Sequence, residues 1–95
     1  MTINITDVPE QRRFEARDDR DQLLGFVDYR RTDDTITFTH TEVMPEFEGN
    51  GVGSTLARAV LDQARQDGFT VVPQCPFIKS WIDRHPDYAD LVAAV

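Results

Sequence analysis

Cysteine is nearly absent from this chain, since Cys75 is the only one among its 95 residues. An internal disulfide needs two thiols and a cysteine-based zinc site needs several, so both are excluded and we expect no metal. Long hydrophobic runs are absent too, because no apolar stretch approaches the roughly 20 residues of a membrane-spanning helix. The opening MTINITDVPEQRRF lacks the basic start and apolar centre of a signal peptide. We therefore expect a cytoplasmic protein.

Basic residues are also scarce, and ten Lys and Arg against seventeen Asp and Glu give a formal net charge of -7 at pH 7. An acidic surface repels phosphate backbones and anionic lipid, so neither nucleic acid nor a membrane is an expected partner. It suits a cationic amine. The length predicts one domain, residues 1–95, with a modest core. We expect a monomer or a weak dimer.

Polar turns divide the first half of the chain into three predicted strands. RRFEA, LLGFVDYR and TITFTHTEV alternate apolar with polar residues, while RDDRD and RTDD supply the connections. They predict an antiparallel meander of three strands, or four if the residues before Val8 add an edge strand. In the third strand, alternation places Ile36, Phe38, His40 and Glu42 on one face, which we expect to run from the core into a cleft.

The second half of the chain predicts a βαβ unit followed by a helix. A helical stripe is formed by Val52, Leu56, Ala59, Val60 and Ala64. Gly68 ends this helix, and FTVVPQC should then pair parallel to TFTHTEV through a crossover. PFIKSWIDRHP predicts a C-terminal helix with Pro76 in its first turn, and DYADLVAAV a last packed turn. The predicted fold class is α+β with a mixed sheet.

The segment EGNGVGS, residues 48–54, is the strongest candidate for a binding site. Gly49, Gly51 and Gly53 leave backbone N–H groups unshielded, and the following helix adds unpaired amides and the positive end of its dipole. Such a turn can cradle an anion, with Ser54 adding a hydroxyl. The alternative is structural, with glycines that make a tight turn and let the helix pack close to the sheet.

Two familiar phosphate loops do not fit this segment. A nucleotide P-loop has a lysine after its last glycine, whereas Gly53 is followed by Ser54 and Thr55. A dinucleotide fingerprint, GxGxxG, comes early among several parallel strands, whereas this GxGxG follows an antiparallel meander. The sequence therefore argues against ATP, GTP and dinucleotides.

The segment VMPEFEGNGVGSTLARAVLDQARQDG resembles the acyl-CoA-binding segment of the GCN5-related N-acetyltransferases, the GNAT superfamily. Gly51 and Gly53 match the glycines of that signature. The series HTEV, GVGS and CPFIKSWIDRHPDYADLV resembles a branch of very small members, and the resemblance runs from about Phe14 onward. Glu48 departs from the pattern, because the family carries Gln or Arg there. A carboxylate would repel a pyrophosphate, so we expect Glu48 to point away.

The resemblance implies a minimal GNAT fold and an acetyl-CoA-dependent N-acetyltransferase acting on a protein lysine, an N-terminus or a small amine. The co-substrate would be held by Val43, Gly49, Asn50, Gly51, Val52, Gly53 and Ser54. Lys79, in the last predicted helix, could reach a phosphate, although an exposed lysine is usually only solvated. The alternative function is a non-catalytic CoA-binding or interaction module, because 95 residues leave little chain for an acceptor site.

Three side chains are candidates for the chemical step. Cys75 precedes a helix whose positive end would stabilise a thiolate, so it can accept an acyl group, act as a general acid or simply fill the core. His40, on the neighbouring strand, can take the amine proton or activate Cys75, or it can be structural. Glu42, two residues on, can act as a base through water. His85 is expected to cap or pack the C-terminal turn.

Overall fold

A five-stranded mixed sheet and two α-helices share one hydrophobic core in the computed structural model, which describes residues 2–93. The strands are β1 (Asn4–Val8), β2 (Arg13–Arg17), β3 (Leu23–Arg31), β4 (Thr35–Val43) and β5 (Thr70–Pro73). The helices are α1 (Val52–Asp67) and α2 (Pro76–Arg84), and short 3-10 turns span Pro9–Gln11, Pro45–Phe47 and Pro86–Leu91.

The strands follow one another across the sheet in chain order. Strands β1 to β4 pair antiparallel, and the edge strand β1 confirms that the residues before Val8 extend the meander. Strand β5 pairs parallel with β4, from Thr35 opposite Thr70 to Phe38 opposite Pro73. The predicted meander and βαβ unit are therefore confirmed.

Helix α1 crosses from β4 to β5 and buries one face. Its buried residues are Val52, Leu56, Ala57, Val60, Leu61 and Ala64. Burial of one leucine contributes about 1.5–3 kcal/mol. Gly68 ends the helix in the left-handed region at φ 77°, and its N–H reaches the carbonyls of Ala64 and Arg65. The predicted stripe is nearly right, with Ala57 and Leu61 buried more deeply than Ala59.

A β-bulge in β4 makes one prediction wrong. Phe38 pairs with Tyr29, and His40 pairs with the preceding Asp28, so Thr39 is an extra residue on β4. Such an insertion reverses which face the following side chains occupy. Ile36 and Phe38 are buried in the core, whereas His40 and Glu42 are exposed on the opposite face of the sheet. They do not share a face with Ile36 and Phe38.

Helix α2 and the segment after it close the core. Ile78, Trp81 and Ile82 are buried as predicted, but Phe77 is 37% exposed. The following 3-10 turn buries Tyr88 and Leu91, and the last two residues of the predicted tail lie outside the described residues. Over residues 2–93, no helix combines the length and the apolar character that a membrane crossing requires.

Candidate functional site

The glycine turn that precedes α1 needs glycine for its backbone conformation. Gly49 and Gly51 have φ angles of 86° and 78°, in the left-handed region that strains an L side chain. A Cβ at either position would meet no heavy atom within 4 Å. The requirement is therefore conformational, and a side chain at Gly51 would project into open space.

At Gly53 the constraint is a neighbouring side chain and not the backbone conformation. A Cβ there would lie 2.9 Å from Cζ of Phe77, so the absent side chain lets the ring of α2 pack against the first turn of α1. Gly53 therefore has a packing role, but its neighbour is α2 and not the sheet that the structural alternative named. Gly53 brings the two helices together at the mouth of the turn.

The first amides of α1 are free to bind a ligand. Gly51 is the N-cap, and its carbonyl accepts the first helical hydrogen bond from the N–H of Thr55 at 3.0 Å. The N–H groups of residues 52–54 meet no acceptor anywhere in residues 2–93. These amides add to the positive end of a 16-residue helix. The arrangement favours an anion at this point.

A cleft of about 570 Å³ opens in front of these amides. Six residues predicted from the sequence line it: Val43, Gly49, Gly51, Val52, Gly53 and Ser54. The side chains of Phe47 and Phe77 give it apolar walls, so it can take an elongated chain as well as an anion. A second cavity of about 440 Å³ lies among Pro9, Tyr29 and Thr32, apart from the turn.

Other predicted residues have different positions. Asn50 does not line the cleft, and its Nδ2 donates to the Phe47 carbonyl at 3.2 Å. Lys79 does not line it either, since its Nζ lies 3.9 Å from Asp83, one turn along α2. Glu48 is one of the lining residues. That its carboxylate points away from a bound pyrophosphate stays a prediction.

Helix α2 supplies lining residues that the sequence analysis missed. Trp81 donates from Nε1 to Oγ of Ser54 at 3.0 Å, which satisfies the buried indole and leaves the hydroxyl hydrogen of Ser54 able to point to an anion. Arg84 also lines the cleft. Phe77, Trp81 and Arg84 recur at helical spacing, a signal that could have marked this face of α2.

His85 lies between α2 and the last turn, at the C-cap of α2, and it also lines the cleft. Its ring stacks on Trp81 with centroids 3.7 Å apart and planes 12° apart. Nδ1 lies 2.7 Å from the Trp81 carbonyl, which can only accept, so Nδ1 carries a proton. Nε2 is then the acceptor of the neutral ring.

Cys75 is 3% exposed and sits at the N-cap of α2. Its thiol donates to Oγ1 of Thr41 at 3.3 Å. Its N–H donates to the Phe38 carbonyl at 2.9 Å, the last link between β4 and the chain that follows β5. The thiol is thus held at the point where the two parallel strands stop pairing, next to but not among the residues that line the cleft.

His40 and Glu42 form a pair on the other face of the sheet. His40 Nε2 lies 3.3 Å from Oε1 of Glu42, and both side chains are more than half exposed. The ring of Phe26 lies 6.1 Å from that of His40. The structure therefore brings His40 to Glu42, whereas Cys75 is hydrogen-bonded to Thr41.

The fold and the cleft together define the class of protein. A meander, a glycine turn, a helix and a parallel strand form an acetyltransferase fold of the GCN5 type. A family model described as GCN5-related N-acetyl-transferase matches residues 13–91. The chain belongs to this family.

Solved structures show the same fold. A GCN5-like protein from Staphylococcus aureus has a TM-score of 0.72 and 29% identity, covering 97% of this chain and 89% of that one. A nourseothricin acetyltransferase has a TM-score of 0.51 and 32% identity over 62% of this chain and 36% of its own. The ribosomal-protein-alanine N-acetyltransferase of Brucella melitensis shares the fold alone, with 22% identity and a TM-score of 0.60 over 87% of this chain and 62% of that one. Among curated proteins, none matches.

Metal chemistry has no obvious site in this part of the chain. Among residues 2–93, no group of three or more His, Cys, Asp or Glu side chains is placed to hold an ion. The lone thiol and the His40–Glu42 pair lie on separate sides of β4.

Proposed function

We propose that the protein is an acetyl-CoA-dependent N-acetyltransferase that acts on an amine, either a protein lysine or N-terminus or a small amine. The observation that carries this proposal is the set of unpaired amides at residues 52–54, which open into a partly apolar cleft. Anionic phosphates suit the amides and the helix dipole. An uncharged pantetheine arm suits the apolar walls.

Within this proposal, each part of the cleft has a role. The amides of residues 52–54 and the hydroxyl of Ser54 hold the pyrophosphate. Phe47 and Phe77 contact the pantetheine arm, and the backbone of Val43 pairs with it at the end of β4. The position of Cys75, beside the last β4–β5 link, supports an acetyl group located there.

The reaction forms a C–N bond between the amine and the acetyl carbonyl carbon and breaks the C–S bond of the thioester. The amine loses a proton, and the CoA sulfur gains one. Cys75 can accept the acetyl group first, in which case its S–H proton goes to the leaving CoA thiolate and the amine then attacks acetyl-Cys75. In this second step the Cys75 thiolate leaves and regains a proton from solvent, while His40, oriented by Glu42 on the other face of β4, takes the proton of the amine through water.

Two measurements test the proposal. Calorimetric titration should show acetyl-CoA binding, and incubation with candidate amines should release free CoA thiol. Absence of binding at millimolar acetyl-CoA would overturn the proposal.

The alternative is a CoA-binding module without turnover. The observation that favours it is the separation of the thiol from the base, because Cys75 is hydrogen-bonded to Thr41 and His40 to Glu42. Binding without thiol release, across lysine peptides, N-terminal peptides and small amines, is the outcome expected for this alternative.

A further inference from the structure

Two residues of opposite charge are among those that line the cleft. Glu48 lies on the glycine turn, and Arg84 lies at the end of α2. A carboxylate there subtracts from the attraction that the helix N-terminus offers to a phosphate. A cation elsewhere in the cleft would offset this repulsion.

Arg84 has no competing partner in the described structure. Across residues 2–93, no carboxylate oxygen lies within 4.0 Å of its guanidinium, and the only hydrogen bond of its side chain runs from Nη1 to Oγ of Ser80 at 3.2 Å. Lys79, by contrast, faces Asp83 at 3.9 Å. Arg84 is exposed, so its guanidinium can turn to a ligand without breaking a strong contact.

Arg84 can also be explained by its place in the helix, since a cation in the last turn interacts favourably with the helix dipole. That explanation requires no ligand, but it predicts only an effect on stability. A guanidinium that lines the cleft can in addition form two parallel hydrogen bonds to a phosphate, which a lysine cannot do.

We infer that Arg84, supplied from α2, is the phosphate-binding cation of the cleft. The inference rests on the proposed function, because it assumes that the cleft binds CoA. Arg84 is then a specificity residue for the phosphate-bearing half of the ligand, with no part in the chemical step.

Binding of three ligands to Arg84→Gln tests the inference, with Lys79→Gln as the matched control. Both changes remove one cation from α2, but only Arg84 lines the cleft. Arg84→Gln should weaken CoA binding roughly 10- to 100-fold, the loss of a charge-assisted hydrogen bond. It should leave pantetheine, which has no phosphate, unchanged, and dephospho-CoA shows which phosphate is contacted. Lys79→Gln should bind all three like the wild type.

The outcomes separate the two proposals. If the wild type does not bind CoA, the proposed function fails and this inference fails with it. If the wild type binds CoA and Arg84→Gln binds it equally well, or loses pantetheine to the same degree, the inference alone is overturned. Should Arg84→Gln fail to fold, Arg84→Lys keeps the charge but lacks the planar guanidinium. It should bind CoA more weakly than the wild type, by a smaller factor than expected for Arg84→Gln, and should bind pantetheine as the wild type does.

Discussion

The Cys75 thiol is hydrogen-bonded to the hydroxyl of Thr41 and not to His40. The roles of Cys75 and His40 can therefore be tested separately. Thr41 accepts the only hydrogen bond of Sγ in the described residues, while the imidazole of His40 is oriented by Glu42. Two half-reactions can therefore be assigned to two residues. Within the proposed function, we assign acetyl transfer to sulfur to Cys75 and proton removal from the amine to His40.

We expect intact mass spectrometry of the wild type after incubation with acetyl-CoA to show an acetyl adduct that Cys75→Ala lacks. His40→Gln should keep the adduct, while its rate of transfer to an amine falls about 100-fold or more, the usual contribution of a general base. The control is Thr41→Val, which removes the acceptor of the thiol without removing either group. If Cys75→Ala and His40→Gln both keep full activity, this assignment of the chemistry is wrong.

Glu15 is a buried carboxylate on β2, and it forms ion pairs with two arginines of the same strand. Its side chain is 6% exposed and lies 2.7 Å from Arg13 and 3.0 Å from Arg17. Burial alone would raise the pKa of Glu15, but hydrogen bonds from both arginines bring it below the ordinary value. The ionised form is therefore preferred in the folded protein.

Glu15→Gln should lower the free energy of unfolding at pH 7 by about 1–3 kcal/mol. Because the pKa of Glu15 is lowered on folding, the contribution is complete above the unfolded pKa of about 4.3 and is lost as the pH falls toward the folded value. Urea denaturation at pH 7 and pH 3 should show the difference between wild type and variant closing in acid. Asp90→Asn, which removes an exposed partner of Arg65, is the control and should change little. A difference that persists undiminished at pH 3 contradicts this account.

At the scale of elements, the glycines at the two ends of α1 have the same backbone conformation. Gly51 begins the helix at φ 78° and Gly68 ends it at φ 77°, and a Cβ at either would meet nothing within 4 Å. They differ in position, because Gly51 lines the cleft and Gly68 does not.

Alanine at either glycine should cost about 1 kcal/mol of stability, from the strain of a side chain in the left-handed region. Only Gly51→Ala should also weaken acetyl-CoA binding, by about tenfold or more, because its methyl group projects where the ligand lies; tenfold corresponds to about 1.4 kcal/mol. Thermal melting and calorimetry on both variants measure the two effects. Equal affinities in the two variants would show that the turn of α1 is not the phosphate site.

The elements themselves follow from local patterns, which is why most could be predicted. Alternation in TITFTHTEV marks β4, and Gly68 and Pro76 mark the end of α1 and the start of α2. The bulge at Thr39 could not be predicted this way, because it is defined by the register against β3 rather than by β4 alone.

Of the candidate site, the glycine turn could be predicted from the sequence and the wall formed by α2 could not. The turn could be predicted because its three glycines fall within five residues of sequence, and six of the residues predicted to bind the co-substrate line the cleft. The wall formed by α2 was missed because it depends on how the helix is rotated about its axis. That rotation buries Trp81 and brings Arg84, rather than Lys79, to the cleft.

At the scale of the whole molecule, both walls of the cleft belong to one core. Trp81, the sole tryptophan, is 1% exposed, bonded to Ser54 of α1, and 5.3 Å from the Arg58 guanidinium. Its fluorescence therefore reports on the packing of α2 against α1, while far-UV circular dichroism reports on the secondary structure throughout. We propose that residues 1–95 form one domain, in which these signals change together.

Urea denaturation should accordingly give coincident transitions by fluorescence and circular dichroism, with a slope of about 1–3 kcal/mol per molar urea. Because acetyl-CoA contacts both helices in the proposed complex, free ligand at 100 times its dissociation constant should raise the unfolding free energy by about 2.7 kcal/mol by both probes. Pantetheine, which lacks the phosphates, should need a much higher concentration for the same shift. A fluorescence transition that precedes the loss of ellipticity would mean that α2 separates from the sheet before the rest unfolds, and that the cleft is not part of one cooperative unit.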